Sequence, residues 1–261
     1  MAFILLPLWA LTGSQGVISY RYMIEVIQLT KRYRTHRAVE GLSFRVNPGE
    51  VYALLGPNGA GKTTTLRVLA TLVKPTAGTA RVAGFDVGEA PLAVRQRLGL
   101  VNGGMRVYDR LTGREVLAFF AGFYGLQGQA FRQALDWVTG LLQMEEALDK
   151  KVMEMSTGMR QKVVIARAIL HRPPVLLLDE ATAGLDIFAR RALLDFVKAY
   201  RDLGNTLVYS THVMTEAEEV ADRVGFLHQG RLVYEGTKTE ALALGQGSLE
   251  RAFIQAVKEA A

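Results

Sequence analysis

The feature that most limits what this chain can fold into is Gly56-Pro57-Asn58-Gly59-Ala60-Gly61-Lys62-Thr63, which matches the pattern G-x-x-x-x-G-K-[ST] and directly follows the apolar run Val51-Tyr52-Ala53-Leu54-Leu55. Such a loop needs a buried strand in front of it and a helix behind it, so an α/β core is expected. Glycines let backbone N–H groups close around phosphate oxygens. Gly56, Asn58, Gly59, Ala60, Gly61, Lys62, Thr63 and Thr64 are the expected nucleotide contacts. Lys62 supplies charge near the β and γ phosphates, and the Thr63 hydroxyl is a ligand for Mg2+. A nucleoside triphosphate is the expected ligand.

The second informative stretch is Val175-Leu176-Leu177-Leu178-Asp179-Glu180, a short apolar run ending in two carboxylates. That pattern suits a buried parallel strand whose carboxyl end delivers charge to the rim where open α/β sheets bind ligands. Asp179 is expected to hold magnesium, directly or through water. Glu180 is expected to polarise the water that attacks the γ-phosphate.

With these motifs in place, the chain resembles an ATP-binding cassette (ABC) ATPase from Met23 to about Phe253. Ser156-Thr157-Gly158-Met159-Arg160-Gln161 is similar to the family signature, Ala183-Gly184-Leu185-Asp186 to its D-loop, and Ser210-Thr211-His212 closes the series in family order. The resemblance implies ATP as substrate and His212 as the catalytic histidine that contacts the γ-phosphate. His36, His171 and His228 have no such context and read as ordinary. Tyr33, in Leu29-Thr30-Lys31-Arg32-Tyr33, resembles the aromatic residue that stacks on adenine. Its neighbours Arg32 and Arg34 read as solvated charges.

Two positions depart from the family pattern. Gly103 stands where a glutamine is usual, within Leu98-Gly99-Leu100-Val101-Asn102-Gly103-Gly104, and Asn102 carries the nearest amide. In the signature, Thr157 replaces a glycine and Met159 a glutamine, while Ser156 and Gly158 keep the phosphate-contacting positions. Ser156 would sit at the amino end of a helix over Met159 to Ile169, where free N–H groups favour an anion.

The length of 261 residues fits one cassette, not two. The expected architecture is α/β: a P-loop NTPase core, an antiparallel β region near residues 23–55 and 79–84, and a helical insertion subdomain at about 89–155. The core resumes at 156, and 254–261 form a tail. Within the insertion, Glu115–Phe120 and Phe131–Leu142 are apolar at helical spacing and read as core. A helix from Asp186 to Tyr200 should turn Ala189, Ala192, Leu193, Phe196, Val197 and Tyr200 toward the sheet. Residues 1–22 stand apart: Met1–Leu11 is apolar without a basic leader, and the resemblance starts at Met23. They are expected to be a loosely held extension, or to precede a natural start at Met23.

Composition narrows the surroundings. With no cysteine, disulfides and thiolate metal sites are excluded. The net charge of +6 is dispersed along the chain, and no nucleic acid is expected as a partner. No apolar run of about 18 or more residues is present to span a bilayer. The resemblance therefore implies a separate transmembrane permease subunit docked on the helical insertion, a second ATPase subunit (identical or different), and a place on the cytoplasmic face of a membrane. Its local motifs look most similar to bacterial and archaeal exporters of the sodium-efflux and drug-efflux types, driven by ATP-dependent closure and reopening of a cassette pair. Two alternatives stay open: a soluble ABC-type ATPase acting on nucleic acid or ribosomes, and a nucleotide-binding module without catalysis.

Overall fold

The strands sort into two sheets by the way their side chains are covered. In chain order they are β1 (Ile24–Tyr33), β2 (His36–Val46), β3 (Val51–Leu55), β4 (Ala77–Val82), β5 (Phe85–Asp86), β6 (Leu98–Asn102), β7 (Val175–Asp179), β8 (Thr206–Thr211), β9 (Arg223–His228) and β10 (Arg231–Thr237). The computed structural model describes residues 20–34, 36–105 and 107–260, so the expectation about residues 1–22 falls almost wholly outside it. Every residue of β3, β7 and β8 is buried. Strands covered on both faces have no polar side, and they pair in parallel in the sheet β10-β9-β3-β8-β7-β6, with β10 antiparallel at one edge. The second sheet, β2-β1-β4-β5, is antiparallel.

Register brings the carboxyl ends of the parallel strands to one rim. Asn102 pairs with Asp179, Asp179 with Ser210, and Leu55 with Thr211. The segments starting at Gly56, Gly103, Glu180 and His212 therefore leave the sheet side by side.

Helices cover the sheets: α1 (Lys62–Leu69), α2 (Pro91–Arg95), α3 (Gly113–Phe123), α4 (Gly128–Leu142), α5 (Glu145–Leu148), α6 (Thr157–Ile169), α7 (Ile187–Asp202), α8 (Met214–Val220), α9 (Lys238–Leu244) and α10 (Leu249–Ala260). A capping box starts α3, with the Thr112 hydroxyl accepting from the Glu115 N–H and the Glu115 carboxylate accepting from the Thr112 N–H. Asp186 caps α7, its Oδ1 accepting from Phe188 N and Ala189 N at 2.9 Å.

Four differences from the sequence reading have local causes. Leu98–Asn102 is not part of the helical insertion but the edge strand β6, so only the short α2 stands near residue 89 and the unbroken run of helices begins at Gly113. Val51–Leu55 belongs to the parallel sheet rather than to the antiparallel region. On α7, Ala192 is exposed and Leu194 is buried instead, because the helix turns its 193–194 and 196–197 pairs to the core. The apolar stripe of α3 also divides: Val116, Leu117 and Ala121 are buried, while Phe119 and Phe123 are not.

Candidate functional site

The loop after β3 narrows to Gly61, whose φ of 109° is left-handed and whose place leaves no room for a side chain: a Cβ there would lie 2.5 Å from the Ala38 carbonyl oxygen. Helix α1 starts on the next residue, so Lys62 is set at its first turn. Although Lys62 is buried, its amine is satisfied: Nζ donates to the carbonyls of Gly56 at 2.7 Å and Pro57 at 3.1 Å, and lies 3.1 Å from Glu180 Oε1.

The ends of β7 and β8 supply the facing wall. Asp179 Oδ1 accepts from the hydroxyls of Thr63 at 3.0 Å and Ser210 at 2.7 Å. His212 Nδ1 stands 2.7 Å from Glu180 Oε2, and since a carboxylate only accepts, the proton on this contact belongs to Nδ1. Glu180 adopts a left-handed φ of 49°, a conformation that costs about 1–3 kcal/mol in a residue with a side chain and persists only where neighbours over-determine it. Here Glu180 N donates to Ser210 O, and Ala183 N donates to Glu180 O, each at 3.0 Å.

Tyr33, Asn58, Gly59, Gly61, Lys62, Thr63, Thr64 and Glu180 line one cleft of about 320 Å³. Gly56 and Ala60 are buried within the same loop. Asp179 and His212 reach the cleft through Thr63 and Glu180. Ser156 and Gly158 are not among its lining residues. Ser156 is exposed and caps α6, its Oγ accepting from Met159 N at 3.2 Å, and that helix already begins at Thr157. His36, which reads as ordinary in the sequence, lines the cleft beside Tyr33 because the two are register partners across the β1–β2 turn. That pairing is a signal a hairpin pattern can carry. The presumption that His171 is ordinary concerns a ring stacked on Tyr124 at 3.7 Å, and burial holds its pKa down to about 4.

The structure gives a reason for Gly103. Its N–H donates to Asp179 O at 2.9 Å, and an added Cβ would meet Glu180 O at 2.5 Å. A glutamine could not occupy this backbone position without moving the residue that pairs with His212. Gly103→Ala is accordingly expected to shift Glu180, lowering ATP turnover at least tenfold and stability by about 1–3 kcal/mol, checked by steady-state hydrolysis and thermal melting.

The oxygen donors fit a small hard cation. Among the described residues no group of three or more His, Cys, Asp or Glu side chains could hold a metal. A hydroxyl and a carboxylate 3.0 Å apart, Thr63 and Asp179, instead offer the one or two protein ligands magnesium takes when phosphates and water complete its shell.

Comparison with known proteins agrees with this geometry. The ABC transporter family profile matches residues 39–183. The chain is 36% identical over 219 residues to the ABC transporter ATP-binding protein NatA of Bacillus subtilis (strain 168), covering 82% of this chain and 89% of that one. It is 40% identical over 213 residues to the Nod factor export ATP-binding protein I of Burkholderia orbicola (strain AU 1054), covering 82% and 70%. A solved ATP-binding subunit of an ABC transporter superposes with a TM-score of 0.80 at 30% identity, covering 90% of this chain and 99% of that one. A phosphate loop facing a carboxylate-tipped strand, inside a sequence so closely matched, places the chain in the ABC transporter family as an ATP-binding subunit that hydrolyses ATP.

Proposed function

We propose that the chain is the motor of an exporter, working as a head-to-tail pair of cassettes with two ATP molecules at the interface. The observation that carries the pairing is the separation of Ser156 and Gly158 from the cleft of Lys62 and Glu180 within one chain. An exposed serine at the amino end of α6 is suited to an anion held by a second copy. Binding closes the pair, hydrolysis reopens it, and membrane subunits follow by population shift. Export is the direction because a relative 40% identical is an export ATP-binding protein.

In each site Tyr33 stacks on adenine, the 56–64 loop encloses the phosphates, and Lys62 neutralises their charge. Glu180 accepts the proton of the attacking water, and His212, bonded to Glu180 Oε2, orients the carboxylate and reaches the γ-phosphate. Thr63 and Asp179 would hold magnesium, which would supply charge at the phosphate oxygens.

The membrane partner would dock on α3. Tyr108, Phe119 and Phe123 are 56%, 48% and 71% exposed and stack edge to face, with ring centroids 5.6 Å and 5.4 Å apart. Aromatic groups in contact with one another and open to solvent suit a protein interface. No helix among the described residues is long and apolar enough to cross a membrane. The motor would then lie on the cytoplasmic face of the membrane as a peripheral subunit. Phe123→Asp is expected to lower recovery of a membrane partner about tenfold.

The deciding experiment is purification from detergent-solubilised native membranes through a carboxyl-terminal tag, followed by ATPase assay of the complex beside its Glu180→Gln form. A co-purifying multi-span protein with Glu180-dependent hydrolysis supports the motor. Recovery from cytosol alone, with no membrane protein attached, rejects it.

A further inference from the structure

Behind the Glu180–His212 contact lies a third carboxylate. Glu216, on α8, is 3% exposed, and one of its oxygens gathers three hydroxyl donors from two segments, Thr182 at 3.0 Å after β7 and, from β8, Tyr209 at 2.7 Å and Thr211 at 2.9 Å, all to Oε2. Its other oxygen makes no hydrogen bond among the described residues, although Arg190 Nε of α7 approaches to 3.5 Å.

Burying a carboxylate is costly unless donors compensate it, and a side chain with no task beyond filling space would be apolar. The donors are placed informatively. Thr182 lies two residues after Glu180, and Thr211 immediately precedes His212. Thr211 Oγ1 also accepts from Val213 N at 3.0 Å, so both sides of His212 are tied to the same point. Burial, and next the Glu216 carboxylate itself, hold the Tyr209 phenol well above its ordinary pKa, which keeps it a donor.

We infer that Glu216 is a positioning residue for ATP hydrolysis, cross-tying the segment after Glu180 to the segment around His212 so that the two side chains meet at 2.7 Å. The left-handed backbone at Glu180 needs such over-determination, because without it the chain relaxes and the carboxylate leaves the position of the attacking water. Glu216 is not among the residues that line the cleft; it acts through the pair. This inference rests on the reading of Glu180 and His212 as the hydrolytic pair.

The test uses the full chain with ATP and magnesium. Glu216→Ala is expected to lower kcat about 10²-fold, the loss typical of misplacing a reacting group by about an ångström. Affinity for N-methylanthraniloyl-ATP should stay within about twofold, since the phosphate loop is untouched. Thr182→Val, which keeps the shape and deletes one donor, should lower kcat about tenfold, and it decides the matter if Glu216→Ala fails to fold. A role exerted through the pair also requires that the Glu216→Ala, Glu180→Gln double variant be no slower than Glu180→Gln alone. Folded Glu216→Ala and Thr182→Val proteins turning over at the parent rate, or losses that add in the double variant, overturn the inference. Glu180→Gln is assayed alongside: at the parent rate it overturns the underlying reading and the inference together, whereas an inactive Glu180→Gln beside a parent-rate Glu216→Ala overturns the inference alone.

Discussion

Replacing Glu180 with glutamine is expected to reduce ATP turnover by about 10²–10⁴-fold, the usual contribution of a positioned general base, while leaving nucleotide binding intact. The amide keeps the length of the side chain and one acceptor oxygen, so its contact with His212, 2.7 Å in the parent, survives. What is lost is the charge that accepts the proton of the water. Because hydrolysis is the step proposed to reopen the pair, the variant should also accumulate as an ATP-dependent dimer, read by gel filtration with and without nucleotide. Turnover at the parent rate would exclude the assigned role.

The second large effect is expected from Lys62→Ala. Its amine is buried within the phosphate loop and lies 3.1 Å from Glu180, so in the proposed mechanism it sits where the phosphates and the carboxylate meet. Charge-assisted hydrogen bonds contribute about 1.5–3 kcal/mol each, so losing this group should weaken ATP binding about 10²-fold. The Gly56 and Pro57 carbonyls lose their donor at the same time, so part of the effect should appear as a lower Tm without nucleotide. Titration calorimetry with ATP separates the two losses, and parent affinity in a folded Lys62→Ala protein would contradict the placement of Lys62 at the phosphates.

The two effects differ in kind because the two residues sit on different elements. Lys62 belongs to the first turn of α1 and is proposed to act on binding; Glu180 follows β7 and is proposed to act on the chemical step. Gly103 belongs with Glu180, since its backbone lies against the Glu180 carbonyl.

Much of this arrangement was legible before any coordinates. Val51–Leu55 and Val175–Asp179 read as strands because a segment covered on both faces has no polar side, and each delivers its motif from the carboxyl end. Asp186 was legible as a boundary, and it caps α7 as a short carboxylate at a helix start does. Strand β6 was not, since Leu98–Asn102 is short and apolar, and periodicity over five residues does not separate a strand from a helix turn. Its identity comes from pairing with β7, a contact made across more than 70 residues of chain.

The sequence by itself determined the chemistry available to this protein: a loop whose glycines and lysine fit phosphate, two carboxylates at a strand end, a histidine after another strand, and membership of the family those motifs mark. These are local patterns, set by which residue types the backbone conformation and the ligand tolerate. Only the tertiary structure decided which apolar residues of α3 stay uncovered, why Gly103 admits no side chain, and that Glu216 joins the segments of Glu180 and His212. Each of those depends on what an element from a distant part of the chain brings to within a few ångströms. A residue's own neighbours in sequence carry no record of that approach.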